Sequence, residues 1–364
     1  MDRRAFLKTS ATATALSAVP FARGALSSVP EAGRWRAFEV TYQVEVQKPA
    51  GVTKAWLPLP LAEDTSYFKN LGSTWSAAGG RASVTIDPKY GAGIAMAEFP
   101  EGVAKPSFVV VSRFATRDRA VDFSKPGNPR PEDPKILQRS VQGTDLIPVD
   151  GIVKETAMGI TKGLRSDMDK ARALYEWVVE NTFRDPKTRG CGWGDIKAML
   201  ETRNLGGKCG DLNALWVGMT RSVGIPARDI YGIRVAKSEL GYKSLGAGTE
   251  VITKAQHCRA EFYLPEYGWI PVDPADVRKV ILEEAAGLTL ASDVAKANRA
   301  RLFGAWEMNW LAYNYAHDVV LPGTRFGKIP YLMYPNGETA AERLDSLEPD
   351  PFKYTITARE LKVA

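Results

Sequence analysis

The sequence predicts an α+β protein in which a helix packs on an antiparallel sheet and an all-β, sandwich-like domain precedes that core. Three observations carry the prediction. From Trp35 to about Arg119 the chain runs through short alternating apolar segments separated by Gly, Pro and Asn, the pattern of half-buried strands joined by turns. After a Gly-rich turn ending near residue 210, apolar residues fall at 212, 215, 216, 219 and 223, the i, i+3, i+4, i+7 stripe of an amphipathic helix. Between 257 and 273 two further strand-like segments flank the turn-like Pro265-Glu266-Tyr267-Gly268, which reads as a hairpin.

Taken in order, the chain opens on Met1-Asp2-Arg3-Arg4-Ala5-Phe6-Leu7-Lys8, then a weakly apolar run from Ala11 to Val19 and small residues from Ala22 to Ala25. Basic, apolar and small-residue zones in that order mark a secretory leader, and Arg-Arg-x-Phe-Leu-Lys resembles a twin-arginine export signal. Residues 1–24 are expected to be removed near Gly24 or Ala25. The product is then periplasmic or secreted, without a stable membrane anchor, because the apolar run is too short to span a bilayer. Half of the net charge of +6 sits in this leader, where Arg3, Arg4, Lys8 and Arg23 stand against Asp2. The remainder is too weakly basic, and too evenly spread, for nucleic-acid binding.

Residues 33–123 form the expected β domain, with strands in Phe38–Val46, Ala55–Pro60, Ala82–Ile86 and Ser107–Phe114. It contains neither His nor Cys, so its role is accessory. Residues 124–149 read as a linker, since Ser124 to Pro134 is too proline-rich for helix or central strand. A second domain, 150–285, carries the chemistry. Within it Ser166-Asp167-Met168-Asp169 is a capping-box type start, and Leu174, Trp177, Val178 and Asn181 continue one helix face. Ile230 to Val235 reads as a strand, and the Gly-containing stretch from Lys237 to Lys254 as a loop bordering the site. Residues 286–364 read as a helical extension and a strand. Leu302, Trp306, Trp310 and Tyr313 lie at helical spacing in a segment starting near Ser292, His317 follows as a structural residue, and Phe352–Ala358 alternates as a last strand.

The chemistry centres on Gly206-Gly207-Lys208-Cys209-Gly210-Asp211-Leu212. A cysteine at a helix start meets unpaired backbone N–H groups and the positive end of the helix dipole, both of which favour the nucleophilic thiolate. Gly224 stands where a left-handed cap is expected and Pro226 stops the helix. His257, one of only two histidines, follows Cys209 by 48 positions and opens an alternating segment; Asp273 follows by 16 more and ends the second strand of the hairpin. The hairpin thus brings Asp273 beside His257. Cys, His and Asp in that order suit thiol acyl transfer, with His as base and Asp fixing its tautomer. Two distant histidines and no Cys-x-x-Cys pair give no metal set, and no cofactor motif is present; the Gly-rich run Arg189–Asp195 lacks the Lys-Ser/Thr of a phosphate loop.

Gly207-Lys208-Cys209-Gly210-Asp211, Gly224-Ile225-Pro226-Ala227-Arg228, the His257 segment and Gly268-Trp269-Ile270-Pro271-Val272-Asp273-Pro274 together resemble the core of the transglutaminase-like superfamily. The resemblance implies a papain- or transglutaminase-like catalytic core, with Cys209 as nucleophile, His257 as base and Asp273 as orienting carboxylate. It implies cysteine-dependent acyl transfer on amide bonds of a peptide or protein substrate, read here as hydrolysis by a protease or amidase. Transglutaminase cross-linking and a non-catalytic envelope-binding module are the alternatives. Where the family often has His-Ala-Trp, this chain has His257-Cys258-Arg259. Trp193, Asn204 and Gln256 are candidates for the oxyanion donor. If Cys209 is the nucleophile, Cys191 and Cys258 either bridge, on the side of the sheet away from His257, or remain reduced core residues.

Overall fold

The computed structural model describes residues 33–348 and 352–362; the leader, residues 1–24, lies outside them. The first strands are β1 (Arg36–Val46), β2 (Thr53–Pro58), β3 (Phe68–Ala78), β4 (Arg81–Ile86), β5 (Gly93–Phe99) and β6 (Ser107–Thr116). In β1, Phe38, Tyr42, Val44 and Val46 are buried while Gln43 and Glu45 alternate outward, as a strand with one wet face requires. β3 and β5 go beyond the expected set. β3 is polar and largely exposed, and β5 is rich in Ala, so neither has the apolar alternation that betrays a strand.

Two antiparallel sheets make the sandwich, and the C-terminal residues complete both. The strand Phe352–Leu361 pairs with β1 in unbroken register, from Ala37 opposite Leu361 to Val46 opposite Phe352, and β6 and β3 follow on the other side. In the second sheet Asn336–Glu338 pairs with β2, which continues to β5 and β4. The C-terminal strand is therefore a member of the N-terminal sandwich.

The core sheet has the order Gly268–Val272, Arg259–Leu264, Ala227–Arg234 and Trp310–Asn314, all antiparallel. Against it lies the Cys209–Ser222 helix, in which every residue from Cys209 to Arg221 is buried. The apolar stripe is only one side of an enclosed helix, and its buried polar side chains are bonded as the cost of desolvation requires. Arg221 Nε donates to Ala227 O (2.7 Å), and Asn213 Nδ2 to Cys258 O (2.9 Å) and Asp273 Oδ1 (3.2 Å). Gly224 takes φ +86° just past the helix end, the left-handed cap expected there. Ser166 caps the Asp167–Asn181 helix by accepting from Asp169 N. Between sandwich and core, Glu261, wholly buried, is gripped by Arg119 and Arg228, each at 2.6 Å.

The expected C-terminal helix is corrected. It spans Asp293–Arg301 alone, and Ala305–Trp306 and Trp310–Asn314 are strands. Gly304, at φ +123°, turns the chain out of the helix. Both faces of Trp310–Asn314 are buried, so aromatics occupy both, and their spacing imitates a helical stripe. His317 consequently lies in the short strand His317–Val319.

Candidate active site

Cys209 is the first residue of its helix, where its own N–H has no intrahelical acceptor. Its position is set from below by Asp211, whose carboxylate accepts from Lys208 N (2.9 Å) and Gly194 N (3.0 Å). This ties the Gly-rich loop to the helix start. Two glycines allow the approach: a Cβ on Gly192 (φ +91°) would stand 1.8 Å from an Asp211 oxygen, and one on Gly210 would stand 2.7 Å from Cys191 O. Any side chain at either position would push the loop off the nucleophile.

His257 stands just before the Arg259–Leu264 strand, held by its N–H on Gly232 O (3.0 Å). Its Nε2 lies 2.7 Å from Asp273 Oδ2 and 3.4 Å from Asp276 Oδ2, which leaves Nδ1 free of those carboxylates, and its charge bears on the Cys209 sulfur bordering the same cavity. Asp273 is the N-cap of the Pro274–Glu283 helix and accepts from Asp276 N (3.1 Å). Asn213 from the nucleophile helix completes its shell. The hairpin register, Ala260 opposite Val272, is what carries Asp273 to His257.

The charges reinforce one another. Burial and Arg234 oppose the imidazolium, yet Asp276, Asp273 and Cys209 outweigh them and raise the His257 pKa to about 9. The neighbouring Cys191 and Cys258 thiols, and then His257, hold the Cys209 pKa well below that of an ordinary thiol despite burial. Both shifts favour an ionised sulfur beside an imidazolium. Arg234 forks onto Asp276 (2.7 and 2.8 Å) and keeps that carboxylate ionised against the desolvation it suffers. Arg259, where the superfamily often has Trp, is fully buried against the rings of Trp306 and Trp310, its Nε 3.7 Å from Asp273. Aromatic cover at this point comes from a later part of the chain.

All three cysteines are free. Cys258 does not face away from the chemistry: its thiol is near enough to Cys209 to lower that residue's pKa, because His257 precedes the regular strand and strict alternation does not hold across the two residues. Cys191 Sγ donates to Gln256 O (3.3 Å). Of the three oxyanion candidates, Gln256 lines the cavity in front of Cys209, its Nε2 buried without a partner. Asn204 is exposed and accepts from Gly206 N, and Trp193 is 67% exposed beside a different, much smaller cavity. Sequence reasoning missed Asp276, Arg234 and Asp211. Asp276 had a signal, one helical turn beyond Asp273 in Asp-Pro-Ala-Asp; Arg234 had none.

The cavity measures about 680 Å³ and is bordered by Cys191, Cys209, Gln256 and His257, by the loop around Gly246 to Ala255, and by Tyr334 and Tyr354. His257, Asp273 and Asp276 could together present three ligand atoms to a cation. Arg234 and Arg259 already supply the positive charge there, which makes the cluster a poor cation site.

Residues 154–274 match the model of the transglutaminase-like superfamily. A Haemophilus influenzae protein of uncharacterised function is 36% identical over 340 residues, covering 89% of this chain and 91% of its own length. YebA of Bacillus subtilis, also uncharacterised, is 27% identical over 147 residues, 39% of this chain and 20% of YebA. In overall fold the chain is similar to a solved structure from Cytophaga hutchinsonii named "Putative Cysteine Protease", with a TM-score of 0.50 and 15% identity over 90% of this chain and 99% of the other. The matched segment contains Cys209, His257 and Asp273, and similarity to the Haemophilus protein extends well beyond it: the chain belongs to the transglutaminase-like superfamily.

Proposed function

We propose that the protein is a cysteine-dependent amide hydrolase, a protease or amidase, working through a thioester on Cys209. The observation that carries this reading is that Cys209 and His257 border one cavity of about 680 Å³, with the His257 ring held on Asp273 at 2.7 Å. The thiolate attacks the amide carbon, and the resulting oxyanion meets the Cys209 N–H at the helix start, a contribution of about 3 to 4 kcal/mol per donor in comparable sites. As the C–N bond breaks, His257 gives its proton to the departing amine. Water then adds to the thioester, His257 takes its proton, and the C–S bond breaks to release the carboxylic acid and restore the thiolate. Asp273 keeps the ring in the orientation both transfers need. Among the described residues no helix is long and apolar enough to cross a membrane, and the leader reading places the enzyme in the periplasm or outside the cell.

The test is iodoacetamide labelling followed by turnover of a Gln-containing peptide. Rapid labelling of Cys209 at neutral pH, lost in His257→Ala, is expected; slow labelling indifferent to His257 would overturn the reading. Peptide cleavage or deamidation without added amine is the expected product. A mass gain only in the presence of a primary amine would instead identify a transglutaminase.

A further inference from the structure

Cations dominate the cavity that Cys209 opens onto. Among the described residues seven of its lining side chains are Lys or Arg, and only Glu348 is acidic. Some are matched: Arg234 with Asp276, Arg189 with Asp345 and Glu348, and both Arg184 and Lys279 with the single carboxylate of Glu283. Lys208, Lys254 and the exposed Lys353 make no ion pair among the described residues. Lys208 is half-buried and immediately precedes Cys209, at a helix end that already carries positive potential. The crowding shows in Lys279, whose ammonium is held below the usual lysine range by burial and then by Arg234. Lys208 directly precedes Cys209 and Lys254 lies in the loop that leads to His257, so positive charge borders the cavity of the sulfur and the imidazole. Tyr334, Phe352 and Tyr354 also line it, giving apolar surface suited to the backbone and side chains of a peptide.

We propose that the acyl donor is an acidic peptide, with carboxylates flanking the amide that Cys209 attacks. This rests on the reading of Cys209 as nucleophile, and the two are separable by experiment. Low-dielectric walls lined by one sign of charge concentrate ligands of the other, and the effect falls with ionic strength.

The first measurement compares alkylation of Cys209 by iodoacetate and by iodoacetamide, which are nearly isosteric and differ by one charge. The imidazolium alone favours iodoacetate, so the deciding quantity is the fall of the iodoacetate-to-iodoacetamide rate ratio in Lys208→Gln/Lys254→Gln. A fall of roughly tenfold, and a similar fall in wild type on adding salt to about 0.5 M, is expected; an unchanged ratio would overturn the proposal. The second measurement titrates the full-length Cys209→Ala protein with acetyl-Glu-Gln-Glu-amide and with acetyl-Gln-Gln-Gln-amide by calorimetry. Tighter binding of the acidic tripeptide, lost in the double lysine variant, is expected. Rapid, His257-dependent labelling with no preference for acid would sink the acidic donor and leave the nucleophile. Charge-selective binding with sluggish labelling would do the reverse, leaving an acid-binding groove without acyl transfer.

Discussion

Each of the two histidines is buried against an aspartate, and the two pairs differ in everything else. His257 is 2.7 Å from Asp273, which is also bonded by Asn213 and the Asp276 N–H, and with the Cys209 thiol it borders a cavity of about 680 Å³. His317 is 3.4 Å from Asp229, both of whose oxygens lack a hydrogen bond, as does His317 Nε2; Tyr231 approaches Nδ1 at 3.4 Å. The cavity beside it is about 10 Å³, room for a single water at most. A buried His–Asp contact is therefore not in itself the mark of a reactive centre. Saturated partners that fix the ring, a nucleophile within reach and space for a substrate are what separate the first pair from the second.

The largest expected effect breaks the comparison outright. His257→Ala should lower peptide turnover on the order of 10⁴-fold or more, whereas His317→Ala should leave kcat within about threefold, since nothing reactive adjoins it; comparable losses in both would abolish the distinction. Next comes the carboxylate: Asp273→Asn should cost on the order of 10⁴-fold in kcat by releasing the ring from its tautomer, with Asp229→Asn near wild type in the same assay. Asp276→Asn tests stability. It leaves Arg234, which is buried, without its fork, and should destabilise the fold by about 3 to 5 kcal/mol in denaturant titration, while Asp229→Asn removes an unbonded carboxylate and should be neutral or stabilising.

The smallest effect is in pH. The His257 imidazole is raised from 6.5 to about 9 on folding, so the native state holds the proton more tightly than the unfolded chain. Its contribution to stability is complete below pH 6.5 and is lost as pH rises through about 9. The Cys209 thiol, whose pKa is lowered on folding, contributes with the opposite sign over the same range, so the test is made in Cys209→Ala: its melting temperature should fall across that window, and more gently in Cys209→Ala/His257→Gln. A slope unchanged by the substitution would place the proton elsewhere. Over the same range, the iodoacetamide rate should stay nearly level between pH 6 and 8, where an ordinary thiol would speed up by roughly tenfold per unit.

The positions of Cys209, His257 and Asp273 were legible because each sits at a local boundary that sequence marks strongly: a glycine turn before a helix, the start of a hairpin, and an Asp-Pro cap. Their supporting residues were less so. Arg234 is the last residue of an apolar strand and resembles any strand-ending arginine, and only folding turns it onto Asp276. Cys258 was assigned to the wrong side because alternation was extended one residue beyond the regular strand. The aromatic segment from Leu302 to Tyr313 misled for a related reason, since a strand covered on both faces loses the period by which strands are read. In the sandwich the two strands that escaped notice are β3, polar and exposed, and β5, mostly buried on both faces, neither of which alternates; both are specified by pairing with neighbours.

The ladder joining residues 37–46 to 352–361 means that β1 waits for a strand synthesised about three hundred residues later. Its sheet cannot close on the ribosome until residue 361 has emerged, so folding involves contacts of very long sequence separation and should be correspondingly slow. A shortened chain ending before Phe352 would leave the edge of β1 open, exposing a long, half-apolar strand to pairing with other molecules.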